Sequence, residues 1–504
     1  MRLPTLTTPQ VVPRAEAQSR VRPTLQNTAS GWPSGHEWLT RRRTIKIVRI
    51  ANCLVWMALL TLRAAPLTRM YTVENYDVRI QPDLVKQRLY GEVAIRLHNR
   101  TDTAISAFEM DAGGLVISSV LEGQADQSFE RDHGQLFIVL TKPLRPDDPR
   151  TITVRYEAGP APGLKFFPDQ VYTSIPSDWM PCNDIPGERA KMHLTIAAPA
   201  DAKAAGSGQL TATRVSEGRS VTEWQLDSPA EPSWFGFAVG NFAENTSDAE
   251  GVKLRVLGAG APVFEPTVAA LHFLGERTGK RYPGETYTQV FVHGDVSHAM
   301  AAGLALLPES SAQGLAKQPD NLWLLANELA HQWYGIGVTT KDWSDLWLSE
   351  GVSALVADAF LGQRFGKEAY EREIQRSRQI YNQLRAEGKD RSLSDTGWAT
   401  HQEAGGEIPE YKGASFLYLV NLLEGDSAFW NGLRLYTSDQ WGRAAASEDL
   451  QKAFDAVNTG NGSAGKKAKA SSRKKNAKST STPLDNLFDL WVYGIPNAKS
   501  TKSR

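Results

Sequence analysis

The hydrophobic pattern of this chain changes its period near residue 245, and that change constrains the fold more than any other feature of the sequence. Between residues 70 and 245, short runs such as YTVENYDVRIQPD and RLYGEVAIRLHNR alternate apolar and polar residues and are rich in Val, Ile and Tyr. Turn residues separate the runs, which is typical of antiparallel strands. From 246 to 460, apolar residues recur at three- and four-residue intervals, which indicates helices. The sequence therefore predicts an α+β multidomain protein, with an N-terminal antiparallel β saddle or sandwich (70–245) and a mostly helical domain (246–460).

Two segments precede the predicted β domain. Residues 1–47 are polar, contain proline and lack a period, so we expect a disordered basic leader. Residues 48–66 include thirteen largely apolar residues, IANCLVWMALLTL (50–62), which follow an arginine-rich flank and precede small residues. This order resembles a secretory signal segment, and the run is shorter than the ~20 residues of a membrane-spanning helix. We expect an exported protein that is periplasmic, extracellular or associated with a membrane through residues 50–62; an uncleaved anchor and a buried core helix are the alternatives.

The C-terminal part contains a second basic stretch. Residues 461–482 include GKKAKASSRKKNAK, which has seven positive charges and no acid, and the composition predicts a flexible insertion. A contact with nucleic acid or anionic lipid is the alternative for this stretch, and residues 483–504 are expected to form a terminal helix and tail. Over the whole chain 56 basic residues balance 56 acidic ones, so we expect no nucleic-acid partner. The two cysteines, Cys53 and Cys182, predict neither an intramolecular disulfide nor a cysteine metal site.

The motif with chemical meaning is NELAHQWYG, which is followed by DLWLSEG. Positions 327 and 331 are four residues apart on a predicted helix, so their side chains share one face. That spacing lets two histidines bind one zinc ion, with Glu328 placed as general base for a metal-bound water. Glu350, on the next predicted helix, has the residue type and spacing of a third ligand. In this chain His331 is present, and Asn327 occupies the other histidine position.

Several separate segments agree in order and spacing with one family. NELAHQWYG, DLWLSEG and GKRYPGETYTQVFV, together with ENYDVRIQPDL, WMPCNDIPGERAKMHLTI and WFGFAVGNF, resemble the gluzincin aminopeptidases of the membrane alanyl aminopeptidase type, from about Tyr71 to Pro496. The resemblance implies a saddle-like N-terminal domain and a thermolysin-like catalytic domain, with the large C-terminal helical domain of many members absent. It also implies that water activated on one zinc ion removes the N-terminal residue of a peptide or protein held in the cleft.

The substrate-binding residues that the resemblance implies are altered as well. In HAMAAGL, which is similar to the strand whose glutamate holds the substrate's α-amine, Met300 is kept and Ala301 stands at the glutamate position. In EYKG, which is similar to the segment whose tyrosine hydrogen-bonds the oxyanion, Glu410 stands at the tyrosine position and Tyr411 comes one residue late. Together with the zinc-ligand position, three of the four functional positions therefore differ from the family pattern.

Two hypotheses follow from the replacements at Asn327, Ala301 and Glu410. The first is a pseudoenzyme that keeps the peptide-binding scaffold, with zinc hydrolysis lost or strongly reduced and any zinc weakly held. The second is an active zinc-dependent aminopeptidase or metallopeptidase with a rewired site, in which His298 is an alternative ligand and Tyr411 donates to the oxyanion. A third hypothesis, a structural protein with chance similarity, is disfavoured because so many segments agree in order.

Overall fold

The computed structural model describes residues 69–258, 263–294, 296, 300–318, 321–398, 404–459 and 481–494. The predicted leader, the signal or anchor segment and all but the last two residues of the predicted Lys-rich insertion lie outside the described residues. The predictions made for those segments stay predictions. Within the described ranges, no helix combines the length and the apolar composition needed to cross a membrane.

The first part of the described chain, residues 69–240, is built from strands and is called the β domain below. Its strands are β1 (Tyr71–Asp83), β2 (Arg88–Asn99), β3 (Ile105–Asp111), β4 (Val116–Glu122), β5 (Ala125–Asp126), β6 (Ser128–Asp132), β7 (Gln135–Leu144), β8 (Arg150–Ala158), β9 (Leu164–Phe166), β10 (Gln170–Thr173), β11 (Ala190–Pro199), β12 (Lys203–Gly206), β13 (Gln209–Ser216), β14 (Arg219–Ala230) and β15 (Phe237–Gly240). An eight-stranded sheet has the order β13-β14-β11-β1-β2-β8-β4-β5, beside a four-stranded sheet (β12-β15-β10-β9) and a three-stranded sheet (β3-β7-β6).

Alternation of burial along these strands places the core of the β domain. On β1, β2 and β8 every second residue is buried, including Val78, Val93 and Val154, because side chains of an extended strand point to opposite faces. The pairs are antiparallel as the sequence predicts, with one exception: β1 and β11 run parallel. The alternating pattern cannot reveal this exception, because it is the same for both strand directions.

The remaining part, called the helical domain, begins with strands and continues with helices. Its elements are β16 (Glu244–Ala249), β17 (Val252–Leu257), α1 (Phe264–Thr278), β18 (Thr286–Val292), β19 (Met300–Ala301), β20 (Leu304–Pro308), α2 (Glu309–Lys317), α3 (Trp323–Ala330), β21 (Thr339–Thr340), α4 (Trp347–Phe365), α5 (Lys367–Ala386), α6 (Gly413–Glu424), α7 (Asp426–Gln440), β22 (Ala444–Ala445), α8 (Ser447–Asn458) and α9 (Pro483–Trp491). The predicted α+β organisation, a β-rich domain followed by a mostly helical one, is confirmed.

The helical domain also contains a five-stranded sheet that the periodicity does not predict. Its order is β16-β17-β18-β20-β19, and β17, β18 and β20 run parallel. All seven residues of β18 are buried, so the strand shows no alternation between apolar and polar positions. Its sequence, TYTQVFV, combines three polar with four apolar residues without strict alternation, so the period alone does not identify the strand.

Helix α4 is the central element of the helical domain, and it is buried along most of its length. A pair of glycines lets the start of α6 approach it closely. A Cβ atom added to Gly351 of α4 would lie 2.7 Å from the Cα atom of Gly413 and 3.2 Å from the carbonyl oxygen of Pro409. The absence of two side chains therefore brings the segment before α6 against the first turns of α4.

The two domains meet at a buried carboxyl group. Glu231, which follows β14 and is 2% exposed, accepts hydrogen bonds from the backbone N–H groups of Gly187 and, in the helical domain, Thr340. Burial raises the pKa of Glu231 to about 8, although the hydrogen bond from Gly187 and the charge of Arg189 act in the opposite direction. Glu231 is therefore protonated in the folded protein at pH values where an exposed glutamate is ionised.

We expect the stability of the protein to depend on pH through Glu231. Between the ordinary value of 4.5 and about 8, the folded chain keeps this proton while the unfolded chain loses it. The contribution is therefore fully present below pH 4.5 and is lost as the pH rises through about 8, at a slope of at most about 1.4 kcal/mol per pH unit. In E231Q, urea unfolding followed between pH 5 and 8.5 should show a shallower decline than in the wild type. The exposed-strand variant E157Q should keep the wild-type slope, and an unchanged slope in E231Q would contradict the expectation.

A methyl group at position 351 is expected to destabilise the helical domain. In G351A the new Cβ overlaps the backbone of Gly413, and overpacking of this kind costs typically about 1–3 kcal/mol. Chemical denaturation should therefore show a lower unfolding midpoint for G351A than for the wild type. The matched control is G114A, where an added Cβ meets no atom within 4 Å. Equal midpoints for the two variants would show that the close approach is unimportant.

Candidate active site

Helix α3 carries the first two motif residues and ends earlier than the sequence predicts. Positions 327 and 331 are both expected on the helix, but α3 ends at Ala330, and His331 is the C-cap with helical dihedral angles (φ −61°, ψ −20°). The chain turns shortly afterwards at Gly335, where φ is +135° and a Cβ atom would lie 2.5 Å from the Trp234 ring. The N–H of His331 still donates to the Asn327 carbonyl at 3.2 Å, so the two residues keep the helical spacing of four.

The His331 ring is oriented by a serine of helix α4. The Ser349 hydroxyl donates to the Tyr334 carbonyl at 2.6 Å, so its single proton is used there. Its oxygen lies 3.1 Å from His331 Nδ1 and accepts the proton of that nitrogen. Nδ1 of the ring therefore carries a proton, and Nε2 is the ring nitrogen on the side of Glu350. Nε2 lies 3.8 Å from Oε2 of Glu350, so the structure brings these two predicted zinc ligands together.

Three carboxyl groups converge on this place. Glu328, Glu350 and Glu410 are 4%, 2% and 5% exposed. Burial, followed by the neighbouring charge of Glu410, raises the pKa of Glu328 to about 8. Burial also raises the pKa of Glu350 well above its ordinary value, with Glu410 and Glu328 adding repulsion, and raises that of Glu410 to about 7. With the protein's own groups alone, the cluster holds protons near neutral pH.

Glu410 reaches the site from an unusual turn. Residues Ile408–Lys412 form a π-helical turn directly before α6, a feature that is frequent at functional sites. The Tyr411 side chain is hydrogen-bonded to the Glu410 carboxyl, and burial raises its pKa above the ordinary value. The structure thus places Glu410 beside the other two carboxyl groups, with Tyr411 engaged by its neighbour.

The short strand β19 carries the other two predicted substrate-binding residues. Met300 and Ala301 are buried and pair with β20. The Ala301 carbonyl accepts a hydrogen bond from Nε2 of Gln332 at 3.0 Å, and Oε1 of the same glutamine accepts from the N–H of Gly303 at 2.8 Å. The residue after His331 therefore holds both sides of the turn between β19 and β20. His298, the alternative ligand, lies outside the described residues.

The donor set fits a zinc ion only in part. Two donors at about 2.0–2.1 Å from a tetrahedral ion lie about 3.3 Å apart, so the 3.8 Å between His331 and Glu350 requires only a small adjustment. Oε2 of Glu328 has no hydrogen-bond partner among the described residues, which suits a group that faces a bound water. Asn327 is buried, and its Nδ2 is likewise without a partner in the described part of the chain. Nowhere in that part do three His, Cys, Asp or Glu side chains form a group arranged to hold a metal ion.

Sequence reasoning missed three residues that shape the site, namely Ser349, Gln332 and Gly351. Ser349 orients the His331 ring, Gln332 holds the β19–β20 turn, and Gly351 admits the segment that carries Glu410. Each adjoins a motif residue in sequence, and that proximity is the only signal the sequence offers. The role of each residue depends on the element that packs against it. A local sequence pattern does not contain that information.

Comparisons with known proteins agree with this architecture. Residues 263–472 match the family model described as "Peptidase family M1 domain". Aminopeptidase M1 of Arabidopsis thaliana is 24% identical over 438 residues, which cover 76% of this chain and 48% of that protein. Aminopeptidase N of Homo sapiens is 25% identical over 284 residues, 51% of this chain and 29% of that protein. The chain thus spans about half or less of the length of these relatives.

Solved structures show the same fold over most of the chain. A mutant M1 zinc metallopeptidase from Deinococcus radiodurans superposes with a TM-score of 0.67 at 23% identity, covering 84% of this chain and 95% of that one. The same enzyme bound to a Tyr-Ser-Ala substrate gives a TM-score of 0.65 at 24% identity, covering 84% and 94%. The matched domain, the named relatives and the shared fold agree with the segments identified in the sequence: residues 263–472 form a domain of the M1 peptidase family, and the chain as a whole is similar to the gluzincin aminopeptidases.

Proposed function

We propose that this protein is a peptide-binding member of the family, a pseudoenzyme whose zinc hydrolase activity is lost or strongly reduced. The observation that carries the proposal is Asn327, a neutral amide one helical turn before His331, at the position where the motif needs a second histidine. An amide oxygen is a poor donor to zinc beside an imidazole. Disturbing a group that merely supports a ligand costs about 10–100-fold in metal affinity or activity, and loss of a ligand costs more. Any zinc ion, one per chain, is weakly held.

Two further replacements act on different steps of the same reaction. Ala301 has no charge with which to hold a substrate's α-ammonium group, so the usual reason for exopeptidase selectivity is missing. Glu410 presents a carboxyl group where the family supplies a phenol, and an ionised carboxylate repels a developing oxyanion. Loss of a single oxyanion donor lowers the rate by about 10²–10³. The combined effect leaves the cleft suited to binding an extended peptide or a protein N-terminus.

The proposal predicts that one substitution restores metal binding. Purified wild-type protein is expected to contain far less than one equivalent of zinc and to show no chelator-sensitive peptide hydrolysis. N327H supplies the missing imidazole on the face that holds His331, and its zinc content should approach one equivalent. Metal analysis after dialysis against zinc at a fixed free concentration measures both, with N327Q as the matched control. One equivalent of zinc in the wild type, with hydrolysis abolished by a chelator, would overturn the proposal.

The second candidate function is an active metallopeptidase with a rewired site. The observation that favours it is the oriented His331 ring, whose Nε2 lies 3.8 Å from Oε2 of Glu350, together with the retained base Glu328. Such an enzyme would favour longer peptides, because Ala301 gives no anchor for the amine.

This candidate makes its own prediction for Glu328. Any peptide hydrolysis by the purified protein should fall by at least about 10²-fold in E328Q, since general acid–base catalysis contributes about 10²–10⁴. Hydrolysis is measured with free and N-terminally blocked peptides of increasing length. The variant E407Q, which changes an exposed glutamate near the site, serves as the control. Turnover unchanged in E328Q would reject this mechanism and assign the activity to a contaminant.

We also propose that the protein is exported, to the periplasm, the extracellular space or a membrane surface. The support is the arginine-rich flank and apolar run of residues 48–66. Membrane association would run through residues 50–62, and the balanced charge of the chain argues against a nucleic-acid partner.

A further inference from the structure

His293 lies at a junction between the two domains. It directly follows β18 of the helical domain and precedes Gly294, whose φ of +85° turns the chain. The imidazole is 35% exposed, and its ring meets the ring of Phe167, in the β domain, edge to face at 5.5 Å. The end of a central strand of one domain therefore rests on a loop of the other.

Both ring nitrogens of His293 face carboxylates, and the two carboxylates belong to different domains. Nε2 lies 3.1 Å from Oδ2 of Asp169, in the loop between β9 and β10. Nδ1 lies 2.9 Å from Oε2 of Glu309, the first residue of α2. A neutral imidazole has one N–H and one lone pair, so only the imidazolium form donates to both carboxylates. The geometry thus selects the charged ring.

Two hydrogen bonds to the backbone of His293 hold the same junction and do not involve the imidazole ring. The hydroxyl of Tyr172 donates to the His293 carbonyl at 2.9 Å, and the His293 N–H donates to Oε1 of Gln170 at 3.3 Å. Gly294 packs so closely that an added Cβ atom would lie 3.2 Å from the Phe167 ring. These contacts hold the His293 ring between Asp169 and Glu309. A change in the charge of the ring therefore alters the strength of its two hydrogen bonds without moving the ring.

We propose that His293 is a pH-responsive clasp that fastens the β domain to the central sheet of the helical domain through Asp169 and Glu309 while the ring is charged. When the ring loses its proton, one of the two carboxylates faces a lone pair and is repelled. The clasp acts next to the substrate-side strand, because β18 pairs with β20 and β20 pairs with β19, which carries Ala301. Deprotonation therefore loosens the sheet that borders the candidate active site.

The charges around His293 favour the protonated ring, as the proposal requires. Burial lowers the pKa of His293, but the hydrogen bonds and charges of Asp169 and Glu309 outweigh it, and the pKa lies above its ordinary value of 6.5. These two are the charged groups that face the ring within the described part of the chain. The clasp is fully closed below pH 6.5 and opens as the pH rises through the raised value. Both ion pairs are partly exposed, so we expect loss of the proton to change the equilibrium between the closed and the open junction by about 3- to 10-fold. Added salt should make this effect smaller.

The test measures the His293 titration and the local opening in the full chain. The ¹³Cε1 resonance of His293 is followed against pH in the wild type, in D169N, in E309Q and in the double variant. We expect a pKa above 6.5 in the wild type, a lower one in each single variant, and the ordinary value in the double variant. A wild-type pKa at or below 6.5, or no change in the variants, would overturn the proposal.

Hydrogen exchange shows whether the charge of His293 controls opening of the junction or whether the histidine titrates without any effect on it. Amide exchange in residues 166–172 and 286–293, corrected for the intrinsic dependence on pH, should quicken by about 3- to 10-fold between pH 5.5 and 8.5 in the wild type. In H293N it should be fast at both pH values. The control H272N changes an exposed histidine that pairs only within its helix, with Glu276, and should behave as the wild type. If H293N keeps the wild-type pH dependence, the proposal fails.

Discussion

Three carboxyl groups and one imidazole share a volume from which water is largely excluded, and the candidate site depends on how their charge is balanced. A buried carboxylate is stable only beside a cation or as the protonated acid. Protons and a metal ion compete for such oxygens, since a ligand must lose its proton before it binds a metal. The raised pKa values of Glu328 and Glu410 show how strongly the protein's own groups favour protons. Position 327 bears on this competition, because a histidine there would add a donor for the metal and an asparagine adds no base.

The contacts that build the site do not depend on the residues that are replaced at positions 327, 301 and 410. Ser349 still orients His331, Gln332 still holds the β19–β20 turn, and the Gly351–Gly413 approach still brings the π-helical turn against α4. None of these contacts requires a histidine at position 327, an amine anchor at 301 or a phenol at 410. The scaffold and the chemistry can therefore change separately, which is why family membership and hydrolytic activity are distinct questions for this chain.

The sequence predicts some features because their cause is local. The α+β organisation follows from the change in hydrophobic period, and the helical spacing places 327 and 331 on one face. Other features arise from packing between distant segments. The fully buried strand β18 shows no alternation, and the parallel pairing of β1 with β11 depends on chain direction. The early end of α3 at Ala330 has the same kind of origin, because Gly335 must turn against Trp234 of the β domain.

The double hydrogen bond of Gln332 has a mechanical consequence. The side-chain amide of Gln332 donates to the carbonyl of Ala301 before the β19–β20 turn and accepts from the N–H of Gly303 within it. The residue that precedes Gln332 in the chain is His331. The edge that would meet an incoming chain and the imidazole of the central cluster thus move as one unit. Any displacement of this edge would therefore act on the backbone next to His331. One side chain thus ties the turn beside Ala301 to the helix end that carries His331, whether or not a bond is ever broken there.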